Sequence, residues 1–172
     1  LFFKKNSLEA MKKGLRELYP RLWRVCMGIT GREDWAEDLA QAACLRALEK
    51  HNLFEEGTRL DSWLFRIADR IWIDELRKRN IRTGAGLIAV EDAHIEAENN
   101  DPSMNIFLGE TLEEIMKLPE AQRKTMTLVY LEEFSYKEAA EIMDIPIGTV
   151  MSRLSIARKR LSETLDYKYE AI

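Results

Sequence analysis

The chain has 172 residues, 46% of them hydrophobic and 33% charged, with 8 glycines and 4 prolines. Such a chain can bury a core and fits one ordinary or two small domains, which excludes wholesale disorder, collagen-like repeats and many-turned β architectures. The formal net charge of −4, taken as a sum, argues against a nucleic-acid partner.

Helical periodicity dominates from the start. Leu8, Met11, Leu15, Leu18, Leu22 and Val25 share one face and predict a helix over 7–28, which Pro20 kinks or splits and Gly31 ends. A second helix is predicted from about Asp34 to Lys50, with Leu39, Ala42, Ala43, Leu45 and Leu48 inward. A polar loop with an apolar pair follows at 51–59. The third helix runs from Asp61, as N-cap, to about Asn80, on a stripe of Leu64, Ile67, Ala68, Ile71 and Leu76. The pattern breaks over 82–105, where Gly84, Gly86, five acidic residues from Glu91 to Asp101, and Pro102 read as a linker. A short helix near 106–117 comes next, and Pro119 opens another over 120–132. Ser135 and Glu138 form a capping-box pattern for a helix over 136–143. The turn Asp144-Ile145-Pro146-Ile147 then leads to a last helix over 147–166.

The charge is segmented. Residues 1–31 carry +5, 32–61 carry −4, 62–82 carry +3, 83–121 carry −8 and 146–161 carry +4. The acidity therefore sits largely on the linker, and two basic segments flank it.

The two short helices joined at 144–147 spell a helix-turn-helix. Val150, Leu154, Ala157 and Leu161 form the inner stripe of the last helix. Thr149, Ser152, Arg153, Ser155, Ile156, Lys159 and Arg160 are the candidate DNA contacts, with hydroxyls near the helix start for base edges and cations further on for phosphates. Leu118-Pro119-Glu120-Ala121-Gln122-Arg123, Tyr130 to Ile142, and Ile145-Pro146-Ile147-Gly148-Thr149-Val150-Met151-Ser152-Arg153-Leu154 resemble region 4 of the extracytoplasmic-function sigma factors. The resemblance covers roughly 118–163 and implies reading of the −35 promoter element. Members of that family often carry guanine-reading cations where this chain has Met151 and Ile156. Those two side chains fit thymine methyl groups instead.

The segment Trp35 to Leu48 resembles region 2.2 of the same family, which implies that Asp38 and Gln41, three apart on one helix face, dock on the β′ clamp of core RNA polymerase. Trp63 to Arg79 resembles regions 2.3 and 2.4, which melt and read the −10 element. The residues support this independently. Arg66, Arg70 and Arg77, with Ile73, fall on one stripe beside Trp63, and cations next to aromatics suit a single strand. By resemblance, the 51–59 loop cradles a flipped base, with Asn52 and Phe54 as candidates. Trp72 is read as core, and Asp69 and Asp74 as partners of neighbouring arginines.

Other chemistry finds no foothold. Cys26 and Cys44 suit neither a disulfide framework nor a zinc site, and two reduced, half-buried thiols of a cytosolic protein are expected. No apolar run approaches a membrane span, and Leu1 to Lys5 does not read as a secretory leader. His51 and His94 lie in different loops, and no catalytic or phosphate-cradling motif occurs, so no enzyme activity, metal or cofactor is expected. The expectation is an all-α protein with a first helical domain over 1–82, an acidic linker over 83–105 and a helix-turn-helix domain over 106–172. As a member of that family it would be a cytoplasmic alternative sigma factor. Its expected partners are core polymerase, promoter DNA and an anti-sigma factor, with no membrane association. The competing readings are a sigma mimic that sequesters an anti-sigma protein, and a plain helix-turn-helix regulator.

Overall fold

The computed structural model describes the backbone of residues 2–55, 57–83 and 112–170, and the side chains of 8–55, 57–81 and 112–164. The expected linker from 84 onward, and residues 106–111 of the expected fourth helix, lie outside the described residues. The chain divides into two compact units, Leu1–Leu87 and Ile88–Ile172. The fold is all-α, with no strand among the described residues. No helix among them is long and apolar enough to cross a membrane.

Three helices build the first unit: α1 (Phe2–Thr30), α2 (Glu33–Glu49) and α3 (Leu60–Thr83), each packed on the other two. A 3₁₀ turn, His51–Leu53, follows α2. Leu22, Val25, Cys26, Ile29, Ala40, Ala43, Leu64, Phe65 and Ala68 are buried where the helices meet. Pro20 does not divide α1. Its missing N–H costs one helical hydrogen bond, but Met11 and Leu15 before it and Leu22, Val25 and Cys26 after it are all buried in one core, and that packing holds the helix through it. Gly31 ends α1 with φ 73°, donating its N–H to the Met27 carbonyl at 2.8 Å, a left-handed cap that suits glycine. Gly14 permits close approach of α1 and α3, since a Cβ there would sit 2.5 Å from Leu60 Cδ2.

Two expectations for this unit are corrected. Leu45 is 60% exposed rather than inward. The buried row of α2 is Ala36, Leu39, Ala40, Ala43 and Ala47, and at 100° per residue Leu45 falls opposite it. Asp61 lies inside the first turn of α3 rather than at its N-cap, and its carboxylate is engaged by two arginines described below. Trp72, by contrast, is core as expected, at 3% exposure.

The second unit holds a helical stretch at 112–116, then α4 (Glu120–Met126), α5 (Tyr136–Met143) and α6 (Ile147–Glu170). Pro119 is the N-cap of α4, one residue ahead of the helix, where its absent N–H is not missed. The expected 120–132 helix does not stay α to its end. Thr127–Leu131 form a π turn. The Phe134 N–H then donates to the Leu128 carbonyl at 3.0 Å, which folds the chain back and buries Phe134 while Tyr130 and Leu131 face outward. The capping box forms as expected: the Glu138 N–H donates to Ser135 Oγ at 3.3 Å, and the Ser135 N–H to Glu138 Oε2 at 2.9 Å. Asp144, at φ 54°, ends α5 in the left-handed region that Asp tolerates, and Pro146 leads into α6. Val150, Leu154 and Ala157 are fully buried and Leu161 nearly so, against α4 and α5.

Candidate nucleic-acid interface

In the first unit, the loop after α2 is pinned at both ends. His51 Nδ1 lies 2.9 Å from the Leu48 carbonyl oxygen. At the other end, Arg59 donates to both oxygens of Asp61, at 3.1 and 2.8 Å, and Arg21 of α1 donates to Oδ2 at 3.0 Å. The Ser62 N–H adds a bond of 2.8 Å to Oδ1. Burial by itself would raise the Asp61 carboxyl. Arg59, the Ser62 N–H and Arg21 outweigh it and hold the group below the usual carboxylate range.

The pinned loop brings Phe54 onto Trp63, with ring centroids 5.3 Å apart at 55°, both rings half-buried. Asn52 is exposed beside them in the chain. The sequence points to Asn52 and Phe54 together in the loop and to Trp63 with the arginine stripe of α3. The structure joins the two rings into one aromatic platform at the start of α3. Arg66, one turn on, is half-buried, and Arg70 and Arg77 are exposed further along. Arg77 sits 3.4 Å from Asp74, as expected, in an exposed pair of little energetic weight.

Arg70 also enters a groove of about 260 Å³ between α2 and α3, with Arg46, Lys50 and Lys78, alongside Asp74 and Glu75. Sequence reading missed Arg46, Lys50 and Lys78. Their signal was Arg46 in the last turn of α2 and Lys50 at its C-cap, four apart, but nothing local says that this face meets α3. Beyond the groove, Arg79 and Arg32 lie over the Trp35 ring, at 4.3 and 4.7 Å, and Trp35 meets Trp72 at 5.6 Å. This stack ties the far end of α3 to the start of α2.

Asp38 and Gln41 are exposed on α2, and Gln41 Nε2 donates to Glu37 Oε1 at 3.3 Å. Leu45 continues the same face one turn on. The face thus pairs a carboxylate and an amide with an exposed apolar side chain.

In the second unit, α6 presents Ser152, Ser155, Ile156 and Lys159 opposite its buried row, with Met151 at one margin. Ser152 Oγ donates to the Thr149 carbonyl at 3.0 Å. Thr149 and Arg153 are half-buried on one flank. Arg160 Nη1 donates to Gln122 Oε1 of α4 at 3.2 Å, so this candidate contact is drawn toward α4. Lys159 approaches Glu163 at 3.9 Å. Arg123, named earlier without a role, is buried and donates from Nη1 to the Met116 and Leu118 carbonyls at 3.2 and 3.0 Å. Burial pulls its pKa down, opposed by Glu120. It ties the end of the 112–116 helix to the start of α4 and satisfies carbonyls left open there.

Both units match known protein families. Residues 15–81 match the family described as Sigma-70 region 2, and residues 108–161 match Sigma-70, region 4. The chain is 29% identical to the ECF RNA polymerase sigma factor SigW of Bacillus subtilis (strain 168), covering 94% of this chain and 96% of SigW. It is 32% identical to the ECF RNA polymerase sigma factor EcfG of Rhodopseudomonas palustris (strain TIE-1), covering 91% of this chain and 86% of EcfG. Among solved structures it is similar to the sigma factor RpoE of Bartonella quintana, crystallised with the anti-sigma factor NepR, with a TM-score of 0.74, 30% identity, and coverage of 92% of this chain and 98% of that one.

Proposed function

The chain belongs to the extracytoplasmic-function RNA polymerase sigma factors, and on that premise we propose how its two units share the work of promoter recognition. As a member of that family it binds core RNA polymerase and directs promoter-specific initiation of transcription. We assign core docking to Asp38 and Gln41 on α2. Capture of unpaired −10 bases falls to Asn52, Phe54 and Trp63, with Arg66, Arg70 and Arg77 holding the strand's phosphates. Reading of duplex −35 DNA falls to α6 through Thr149, Ser152, Arg153, Ser155, Ile156, Lys159 and Arg160. Residues 1–82 and 106–172 are the two working domains, with 83–105 as the acidic connector between them.

The observation that carries this assignment is the Phe54–Trp63 platform beside the arginine stripe of α3. A plain helix-turn-helix regulator has no use for it, whereas strand opening needs a face for flipped bases next to cations for their phosphates. The protein acts in the cytoplasm and leaves the chemistry of RNA synthesis to polymerase. By analogy with the NepR-bound RpoE, an anti-sigma protein holds it inactive.

Run-off transcription from a fragmented bacterial genome, with core polymerase and the purified protein, tests the proposal. Discrete start sites are expected. Phe54→Ala and Arg66→Ala should lower initiation on closed duplex and lose less on a template with a pre-opened bubble. Absence of any protein-dependent start, or equal losses on both templates, overturns it.

A further inference from the structure

Arg158 and Arg160 of α6 are engaged away from the centre of its exposed face, while Lys159 stays on it. Arg158 Nη1 donates to Tyr130 Oη at 3.3 Å, Arg160 reaches Gln122, and Lys159 leans to Glu163. Arg153 is half-buried on a flank. What projects from the first turns of α6 is instead the Met151 thioether at 53% exposure, the Ile156 side chain at 48%, and the hydroxyls of Ser152 and Ser155.

Guanine is read in the major groove chiefly by a planar guanidinium or a lysine, and neither Met nor Ile offers a donor. The C5-methyl of thymine is the apolar group that a base pair displays there, and an apolar side chain set against it removes both from water. Ser hydroxyls donate or accept and tolerate either partner base. We propose that Met151 and Ile156 are specificity-determining residues that read thymine methyl groups, on either strand, in the upstream promoter element. This rests on the reading of α6 as the duplex-facing helix. It adds that the element is chosen by methyl contact at the positions facing these two side chains.

The test separates the two layers. Holoenzyme assembled with core polymerase selects from duplexes randomised upstream of a fixed start region. The best-enriched duplex is then remade with each thymine replaced by deoxyuridine, which removes only the methyl. Two replacements should each weaken retention by about fourfold, the affinity equivalent of one buried methylene. Met151→Ala should abolish sensitivity at one of these positions and Ile156→Ala at the other. Lys159→Ala should weaken thymine and deoxyuridine duplexes alike. Both apolar side chains are exposed and alanine favours helix, so the variants keep the fold. An enriched element indifferent to deoxyuridine, or a thymine preference unchanged in both alanine variants, overturns the methyl reading and leaves α6 as the duplex reader. No upstream enrichment overturns the α6 assignment itself.

Discussion

Replacing Asp61 by Asn should loosen the first unit by about 2 kcal/mol at neutral pH. The Asp61 side chain is 11% exposed, and its carboxylate accepts from Arg21, Arg59 and the Ser62 N–H. Charge-assisted bonds of this kind contribute about 1.5–3 kcal/mol when sheltered. The Arg59 side chain is half exposed, so its share is discounted to about 0.5 kcal/mol, while the more sheltered Arg21 pair keeps about 1.5 kcal/mol. Asn keeps the volume but turns an amide N–H₂ toward one guanidinium. All four tryptophans, Trp23, Trp35, Trp63 and Trp72, lie in the first unit, so tryptophan fluorescence reports its unfolding alone. With a urea dependence of about 1 kcal/mol per molar, the midpoint should fall by about 2 M without a change in slope. The pH dependence has a definite sign. The folded carboxyl titrates below its unfolded value of about 3.9, so its stabilisation is fully present above that value and is lost as pH falls through the depressed one. The gap between wild type and Asp61→Asn should therefore be widest at neutral pH and close in acid. A gap under about 0.5 kcal/mol at pH 7, or one that persists unchanged at pH 3, refutes the argument.

Three further outcomes are expected. Asp38→Ala combined with Gln41→Ala should lower core polymerase affinity about tenfold in a competition assay, yet shift the tryptophan-monitored stability by less than about 0.5 kcal/mol, because both residues are exposed. Arg123→Met should cost the second unit about 3 kcal/mol by orphaning the Met116 and Leu118 carbonyls, seen as faster amide hydrogen exchange in α5 and α6 with α1 unaffected. Burial raises the thiol pKa of both cysteines, and Cys26 is fully buried while Cys44 is half-buried. Iodoacetamide at mildly alkaline pH should therefore label Cys44 first and reach Cys26 only on unfolding, as peptide mass spectrometry will show.

The helices were legible because their causes are local. The capping box at Ser135 and Glu138, the turn at Asp144 and the buried row Val150, Leu154, Ala157 and Leu161 each follow from residues within a few turns of one another. The misreadings have a common form. Leu45 is apolar, but the angular position that its alanine neighbours define turns it outward. A carboxylate before a helix has the local use of a cap, but the partners of Asp61 come from α1 and the loop.

By itself the sequence determined an all-α chain, its helix-turn-helix and the segregation of charge that the net −4 concealed. Tertiary structure alone decided which side chains act together. Asp61 meets Arg21 across 40 positions, Arg158 meets Tyr130 across 28, and Arg160 meets Gln122 across 38. Helical hydrogen bonds join residues four apart, so periodicity reveals each helix and its inward face. The direction in which a long charged side chain turns depends on what another helix sets beside it. That is why the sequence could name the cations of α6, and only the packed fold could show Arg158 and Arg160 drawn away from the surface where Met151 and Ile156 remain.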